Sequence, residues 1–191
     1  MRVIGGIARG RILHVPRGTK VRPTLDRIRE AIFNILGDMV VGIDILDGFA
    51  GTGAVGIEAL SRGARKVLFV EKDPAMIRCV VRNLEATGLQ ESGRIRSGDS
   101  RRVFPALERE GYRFGLIFLD PPYGSGDLEA LMAWIGDSPL LQVGGMVVLE
   151  QGKRDPIFPW PRRLIVRKQY RYGDTRLTVF ETDPAECRDR P

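Results

Sequence analysis

Two stretches carry side chains whose types and spacing could do chemistry. Asp120-Pro121-Pro122-Tyr123 follows the apolar run Leu116 to Leu119, so a carboxylate, a proline-flanked carbonyl and an aromatic ring meet at a strand end. A rigid turn with a tyrosine packed behind it would also use these residues, but two prolines hold the backbone just where all three groups would need to be fixed. The second stretch, Ile43 to Gly53 (I-D-I-L-D-G-F-A-G-T-G), is an apolar run that ends in Asp47 and breaks into glycines before a helical pattern. A parallel strand hands a small ligand to a helix N-terminus in this way.

The glycine loop admits two ligand classes. Gly51-Thr52-Gly53-Ala54-Val55-Gly56 matches G-x-G-x-x-G, and Glu71 ends the next apolar run where a dinucleotide site keeps its ribose-binding acid. Read alone, that spacing predicts NAD. Asp47 argues against it, because a carboxylate beside the turn repels a pyrophosphate. S-adenosylmethionine has no phosphate; its ammonium and sulfonium favour a nearby anion, and Glu71 can accept both ribose hydroxyls. The pattern D-x-F-x-G-x-G followed by Val70-Glu71-Lys72-Asp73 resembles motifs I and II of the class I methyltransferases. That resemblance implies cofactor contacts from Asp47, Gly48, Ala50, Gly51, Gly53, Glu71 and Lys72.

These residues need a scaffold, and the chain alternates the two periodicities that build one. Strands are predicted at 43–47, 66–71, 94–98, 115–120 and 144–150, with helices near 54–63, 75–88, 100–110 and 127–136. Alternation of this kind predicts a parallel sheet covered on both faces, with the glycine loop and Asp120 on the same sheet edge. Residues 163–170 and 175–182 then read as a hairpin turned by Arg171-Tyr172-Gly173-Asp174. At the other end, Arg2 to Ile7 and Arg11 to Val15 read as two short strands. They lead to a helix capped by Thr24, with Leu25, Ile28, Ile32, Ile35 and Leu36 on one face. Residues 183–191 read as a frayed tail.

Composition narrows the partners. With 43% hydrophobic and 28% charged residues, 191 residues suffice for one well-buried domain. No run of 18 apolar residues and no apolar leader occur, and the expected location is the cytoplasm. Cys79 and Cys187 lie far apart beside a single histidine, His14, which predicts no metal site and a packing role for Cys79. The formal net charge of +6 is concentrated: residues 1–29 hold eight cations against Asp26 alone, and the rest of the chain is close to neutral. A basic end interleaved with glycine and isoleucine suits an arm that tracks phosphates. Arg9, Arg11, Arg22 and Arg27 are the expected nucleic-acid contacts.

Asp120-Pro121-Pro122-Tyr123 resembles motif IV of methyltransferases that modify exocyclic amino groups of nucleobases. The resemblance makes these four residues catalytic: Asp120 and the Pro121 carbonyl accept the amino hydrogens, and Tyr123 stacks on the base. Ser97-Gly98-Asp99-Ser100 stands where such enzymes keep an acid near the cofactor's adenine. Asp99 therefore reads either as that contact, with Ser100, or as the cap of the next helix.

The whole chain is similar to the RsmD-type family. The resemblance rests on R-V-I-G-G-I-A-R-G-R, R-P-T-L-D-R-I-R-E-A-I-F-N-I-L, D-G-F-A-G-T-G-A-V-G-I-E-A-L-S-R-G-A, V-E-K-D, D-P-P-Y and Y-G-D-T. It implies a Rossmann-like α/β fold, mostly parallel, with a C-terminal antiparallel hairpin and a small N-terminal hairpin and helix extension. It also implies transfer of a methyl group from S-adenosylmethionine, leaving S-adenosylhomocysteine, to N2 of a guanine (guanine 966) in 16S ribosomal RNA. The expected organisation is an RNA-contacting extension over 1–40, a methyltransferase domain over 41–182 and a tail over 183–191, acting as a monomer without metal. The competing readings are an adenine-type DNA or RNA amino-methyltransferase, a non-catalytic RNA-binding assembly factor and an NAD-dependent oxidoreductase.

Overall fold

The computed structural model describes residues 1–16, 23–121, 128–153, 155 and 160–183, with the side chains of residues 23–25 set aside. The chain divides into two compact units, Met1–Val103 and Phe104–Pro191.

In the first unit, β1 (Asp44–Asp47), β2 (Lys66–Glu71) and β3 (Gly93–Ser97) lie in the order β3-β2-β1 and pair in parallel. Parallel neighbours need a crossover, and helices α2 (Ala54–Ser61) and α3 (Pro74–Thr87) supply it. Helix α2 packs on β1 and β2, and α3 on β2 and β3. Close packing of α2 on the sheet depends on Gly56: a Cβ there would stand 2.3 Å from the buried Phe69 ring on β2 and 2.8 Å from Val67. Asp73 caps α3 by accepting the Ala75 N–H at 2.7 Å, with Pro74 in the first turn and Gly88 closing the end at φ 74°.

Helix α1 (Pro23–Leu36) begins one residue before the Thr24 cap predicted from sequence, because a proline suits the first helical position. It buries Ile28, Ile32, Phe33 and Leu36 together with Arg29. The N-terminal segment forms the expected hairpin, reduced to a single Arg2–Ile12 bridge flanked by the Val3 N–H to Arg11 and Leu13 N–H to Met1 carbonyl bonds, both 3.0 Å. This hairpin is docked, not free. Gly6 adopts φ 76°, and a Cβ there would lie 1.8 Å from the Ser61 carbonyl oxygen, so only glycine lets the chain lie against the end of α2. Ser61 completes the seam: its hydroxyl accepts the Ala8 N–H at 2.9 Å, and its carbonyl accepts the Ile7 N–H at 2.8 Å.

Beneath the hairpin lies a buried carboxylate. Glu58 on α2 accepts the N–H groups of Ile4 and Gly5, each at 2.8 Å, and the Arg62 Nε at 2.8 Å, with Arg29 Nε 3.6 Å away. Arg29 also donates to the Arg2 carbonyl and pairs with Asp26 at 3.2 Å; burial lowers its pKa while the two acids oppose that shift. One cation counted from the sequence as part of a phosphate-tracking arm is thus internal, because its charge is consumed by Glu58 and Asp26.

In the second unit β4 (Phe114–Leu119) pairs in parallel with β5 (Leu141–Gly152), and the order is β4-β5-β7-β6. Strands β6 (Leu164–Tyr172) and β7 (Thr175–Thr182) form the predicted hairpin, with a turn of only Gly173-Asp174 because Arg171 and Tyr172 continue the ladder. Strand β7 inserts antiparallel beside β5 and is buried along most of its length. Strand β6 is the exposed outer member of that pair, and its Arg167, Lys168 and Arg171 discourage further strand addition. Helices α4 (Ser100–Arg109) and α5 (Leu128–Asp137) complete the α/β pattern. The fold is the expected one: a Rossmann-like core with a C-terminal antiparallel pair and an N-terminal hairpin and helix extension.

Candidate active site

The glycine loop is held from outside by four elements. Asp47, fully buried at the end of β1, accepts the Gly56 N–H at 3.1 Å and so grips the first turn of α2, where the helix dipole favours a negative charge. The Ala50 N–H reaches the Val70 carbonyl at 3.0 Å, and the Gly51 N–H reaches Glu71 Oε2 at 2.8 Å. The Ser100 hydroxyl donates to the Gly48 carbonyl. The Asn83 amide donates to the Thr52 carbonyl at 2.9 Å. Gly51 and Gly53 take φ values of 51° and 77°, and Gly53 caps α2 without any side-chain acceptor. The loop is therefore a preorganised backbone cradle with an acid beneath it.

Glu71, half-exposed at the end of β2, uses Oε1 for the Lys72 and Asp73 N–H groups at 2.8 and 2.9 Å and Oε2 for Gly51. Each carboxylate oxygen has two acceptor positions, so Oε2 retains one, enough for a single ribose hydroxyl and not the two expected from the sequence, because three amides hold the carboxylate in place. These donors and acceptors fit S-adenosylmethionine, the cofactor of this enzyme. Glu71→Ala is expected to weaken S-adenosylmethionine binding by about 1.5–3 kcal/mol, the size of a charge-assisted hydrogen bond. Calorimetric titration checks it, and an unchanged affinity would place the ribose contact on another residue.

Of the two roles open to Asp99, the structure shows the cap. Its Oδ1 accepts the Arg101 N–H at 3.1 Å and Nε at 2.9 Å, while Oδ2 accepts Nη2 at 3.0 Å. The Arg101 hydrogen bonds hold its carboxyl down at about 2. This contribution to the start of α4 is present above the ordinary carboxylate range and is lost as pH falls toward 2.

Asp120 stands one residue beyond β4, followed by the buried Pro121. Burial pushes its carboxyl up to about 6. Pro122 and Tyr123 lie outside the described residues. On β5, the buried Glu150 is pushed to about 8, by burial and then by the Asp120 charge. Sequence reasoning missed this acid, which looks like an ordinary polar strand end.

Of the expected RNA contacts, Arg9 and Arg11 are exposed at the hairpin tip beside Ile7 and Ile12, and Arg27 is exposed on α1. Arg22 lies outside the described residues. Asn83 is a second missed residue. Fully buried on α3, it accepts the His14 N–H at 2.6 Å and donates to the His14 carbonyl at 3.0 Å. Its bond to Thr52 makes it a common support for the N-terminal segment and the glycine loop. Cys79 packs as predicted, buried, with its thiol donating to the same His14 carbonyl at 3.2 Å.

A glycine cradle over an acid, a ribose-type acid after β2, parallel strands and an inserted antiparallel β7 together define a class I S-adenosylmethionine-dependent methyltransferase. The comparisons agree. The family model described as "Conserved hypothetical protein 95" matches residues 1–181. "Ribosomal RNA small subunit methyltransferase D" of Escherichia coli K12 is 38% identical over 153 residues, covering 75% of this chain and 73% of that protein. The Haemophilus influenzae protein of the same name is 32% identical over 181 residues, covering 95% and 93%. The solved structure of hypothetical protein TTHA0928 of Thermus thermophilus is similar with a TM-score of 0.80 at 35% identity, over 95% of this chain and 99% of that one. The chain belongs to this family, the RsmD-related ribosomal RNA methylases.

Proposed function

We propose that this enzyme methylates the exocyclic N2 amino group of a guanine in 16S ribosomal RNA, guanine 966 by family likeness, within the small subunit or its assembly intermediates in the cytoplasm. The observation that carries the reading is Asp120: a desolvated carboxyl at the end of β4, followed by a buried proline. An aromatic amino nitrogen is a poor nucleophile because its lone pair is delocalised into the ring. Asp120, ionised above about 6, accepts one N–H, and the Pro121 carbonyl accepts the other, which pulls the nitrogen toward a tetrahedral geometry. Bound S-adenosylmethionine supplies the electrophilic methyl group on a sulfonium. Asp120 then takes the proton that the methylated nitrogen releases. Tyr123 is assigned the stacking platform that holds the base plane.

Guanine is favoured because its amino group lies beside N1–H, two adjacent donors that one carboxylate can accept, whereas adenine places an acceptor there. The names of the two relatives support small-subunit ribosomal RNA as the substrate. Residues 1–40 are read as the RNA-contacting extension of a catalytic domain over 41–182, with Arg9, Arg11, Arg22 and Arg27 as its phosphate contacts.

The test offers methyl-labelled S-adenosylmethionine with small subunits, free 16S RNA and DNA, followed by nucleoside identification. Labelled N2-methylguanosine is expected, with assembled or partly assembled subunits the best substrate. N6-methyladenosine, or label in DNA alone, would overturn the reading. Replacing Arg9 and Arg11 together should lower RNA affinity and flatten its log-log salt dependence by about 0.7–0.9 for each phosphate no longer neutralised. An unaltered slope would show that the hairpin tip is merely solvated.

A further inference from the structure

The second unit contains two acids where the proposed chemistry uses one. Leu119 on β4 is paired in register with Leu149 on β5, so Asp120 and Glu150 are the next residues along two parallel neighbours. The ladder ends at that rung, so the two acids follow its last pair at neighbouring strand ends, near enough for the Asp120 charge to bear on Glu150. Glu150 is only 5% exposed. Across the sheet its row continues to Leu177 on β7 and Tyr170 on β6, an apolar side chain and a phenol. Arg176 belongs to the alternate row, where it donates to Gln151 at 3.2 Å. Among the described residues, the charge that bears on Glu150 is that of Asp120, and no cation opposes it.

Two acids at neighbouring strand ends, Glu150 buried and Asp120 half-buried with its carboxyl desolvated, do not both ionise easily, so the pair keeps one proton over a range of pH. We propose that Glu150 is a positioning residue that holds this resident proton, so that Asp120 is the pair's single anion and its acceptor oxygens stay directed at the substrate amino group. The inference rests on the assignment of Asp120 to the amino group in the proposed function.

The step balances. The nitrogen–methyl bond forms as the methyl–sulfur bond breaks, and the cationic nitrogen passes a proton to Asp120. The pair then holds two protons and returns one to solvent before the next turnover. Burial, joined at Glu150 by the Asp120 charge, puts the pair's two titrations near 6 and 8. Below the lower one Asp120 is neutral and accepts no N–H. Above the upper one two adjacent anions repel, and Asp120 leaves its position or admits water.

The wild-type kcat should therefore rise through about 6 and fall through about 8. Glu150→Gln, which imitates the protonated acid in shape and charge, should keep the rise and lose the fall. Its activity at pH 9.5 relative to its own value at pH 7.5 should exceed the wild-type ratio about 25-fold, the change expected when a titration near 8 is removed. An alkaline fall that persists in Glu150→Gln overturns the proposal. Carboxyl carbon NMR of the wild-type protein gives a readout that needs neither a variant nor a substrate: the Asp120 and Glu150 signals should each show both inflections. Independent single titrations overturn the pair even if RNA is methylated normally. Coupled titrations without RNA methylation would retain the pair and remove the functional reading instead.

Discussion

Asp120→Ala is expected to lower kcat by about 10²–10⁴-fold while leaving S-adenosylmethionine affinity close to wild type. The direction follows from the division of labour in the chain. The proposed cofactor cradle is Asp47, the loop amides and Glu71, and the Gly56, Gly51 and Lys72 N–H groups that these acids accept belong to the first unit. Asp120 is buried enough to raise its pKa to about 6, yet it would be ionised at neutral pH, the state in which it can accept an N–H. Removing the side chain removes the acceptor without leaving a partner cation unpaired, and Glu150, relieved of the neighbouring charge, is then held above the ordinary carboxylate range by burial alone. Single-turnover methyl transfer, with cofactor affinity from calorimetry on the same variant, makes the measurement. Near-normal turnover would show that Asp120 is only the residue that starts a turn.

A comparably large effect is expected on stability at Glu58. Glu58→Ala should cost about 3–5 kcal/mol, the usual penalty for breaking a buried ion pair from one side. The variant leaves the 2% exposed Arg29 with the half-exposed Asp26 in place of two acids, and orphans the Ile4 and Gly5 N–H groups. The loss should appear as a lower urea midpoint, with early protease cleavage in the N-terminal hairpin segment. Combining Glu58→Leu with Arg29→Leu should restore the part of the difference that comes from buried charge, while the Ile4 and Gly5 N–H groups stay without their acceptor. If the single variant is as stable as wild type, the N-terminal segment is not held by this carboxylate.

Glycine and proline spacing made much of the site legible. Asp47, Gly51, Gly53 and Glu71 could be placed at strand ends because a buried parallel strand, a tight turn and a helix start each leave a local signature within about ten residues. The strand and helix order was legible for the same reason, as was the final hairpin, whose short turn needs Gly173 at φ 58°. Asp99 could not be settled locally because one acid type serves both as helix cap and as ligand. Its capping geometry with Arg101 became visible only once the start of α4 was in place.

The sequence by itself determined the class of fold, the glycine loop after β1 and the identity of the acid at the end of β4. Each of these depends on residues adjacent in the chain and on periodicities that backbone geometry imposes. Tertiary structure alone decided the destinations of the polar groups. Arg29 reads as one more cation of a basic arm until Glu58, far along the chain, is brought beneath it. Asn83 looks like a surface amide until His14 and Thr52 both converge on it. Glu150 is an ordinary strand residue until the parallel pairing of Leu149 with Leu119 brings it to the strand end that Asp120 follows. Burial and pairing of charge are long-range properties: they depend on which strands lie side by side and which surfaces lose water, and no local pattern encodes either.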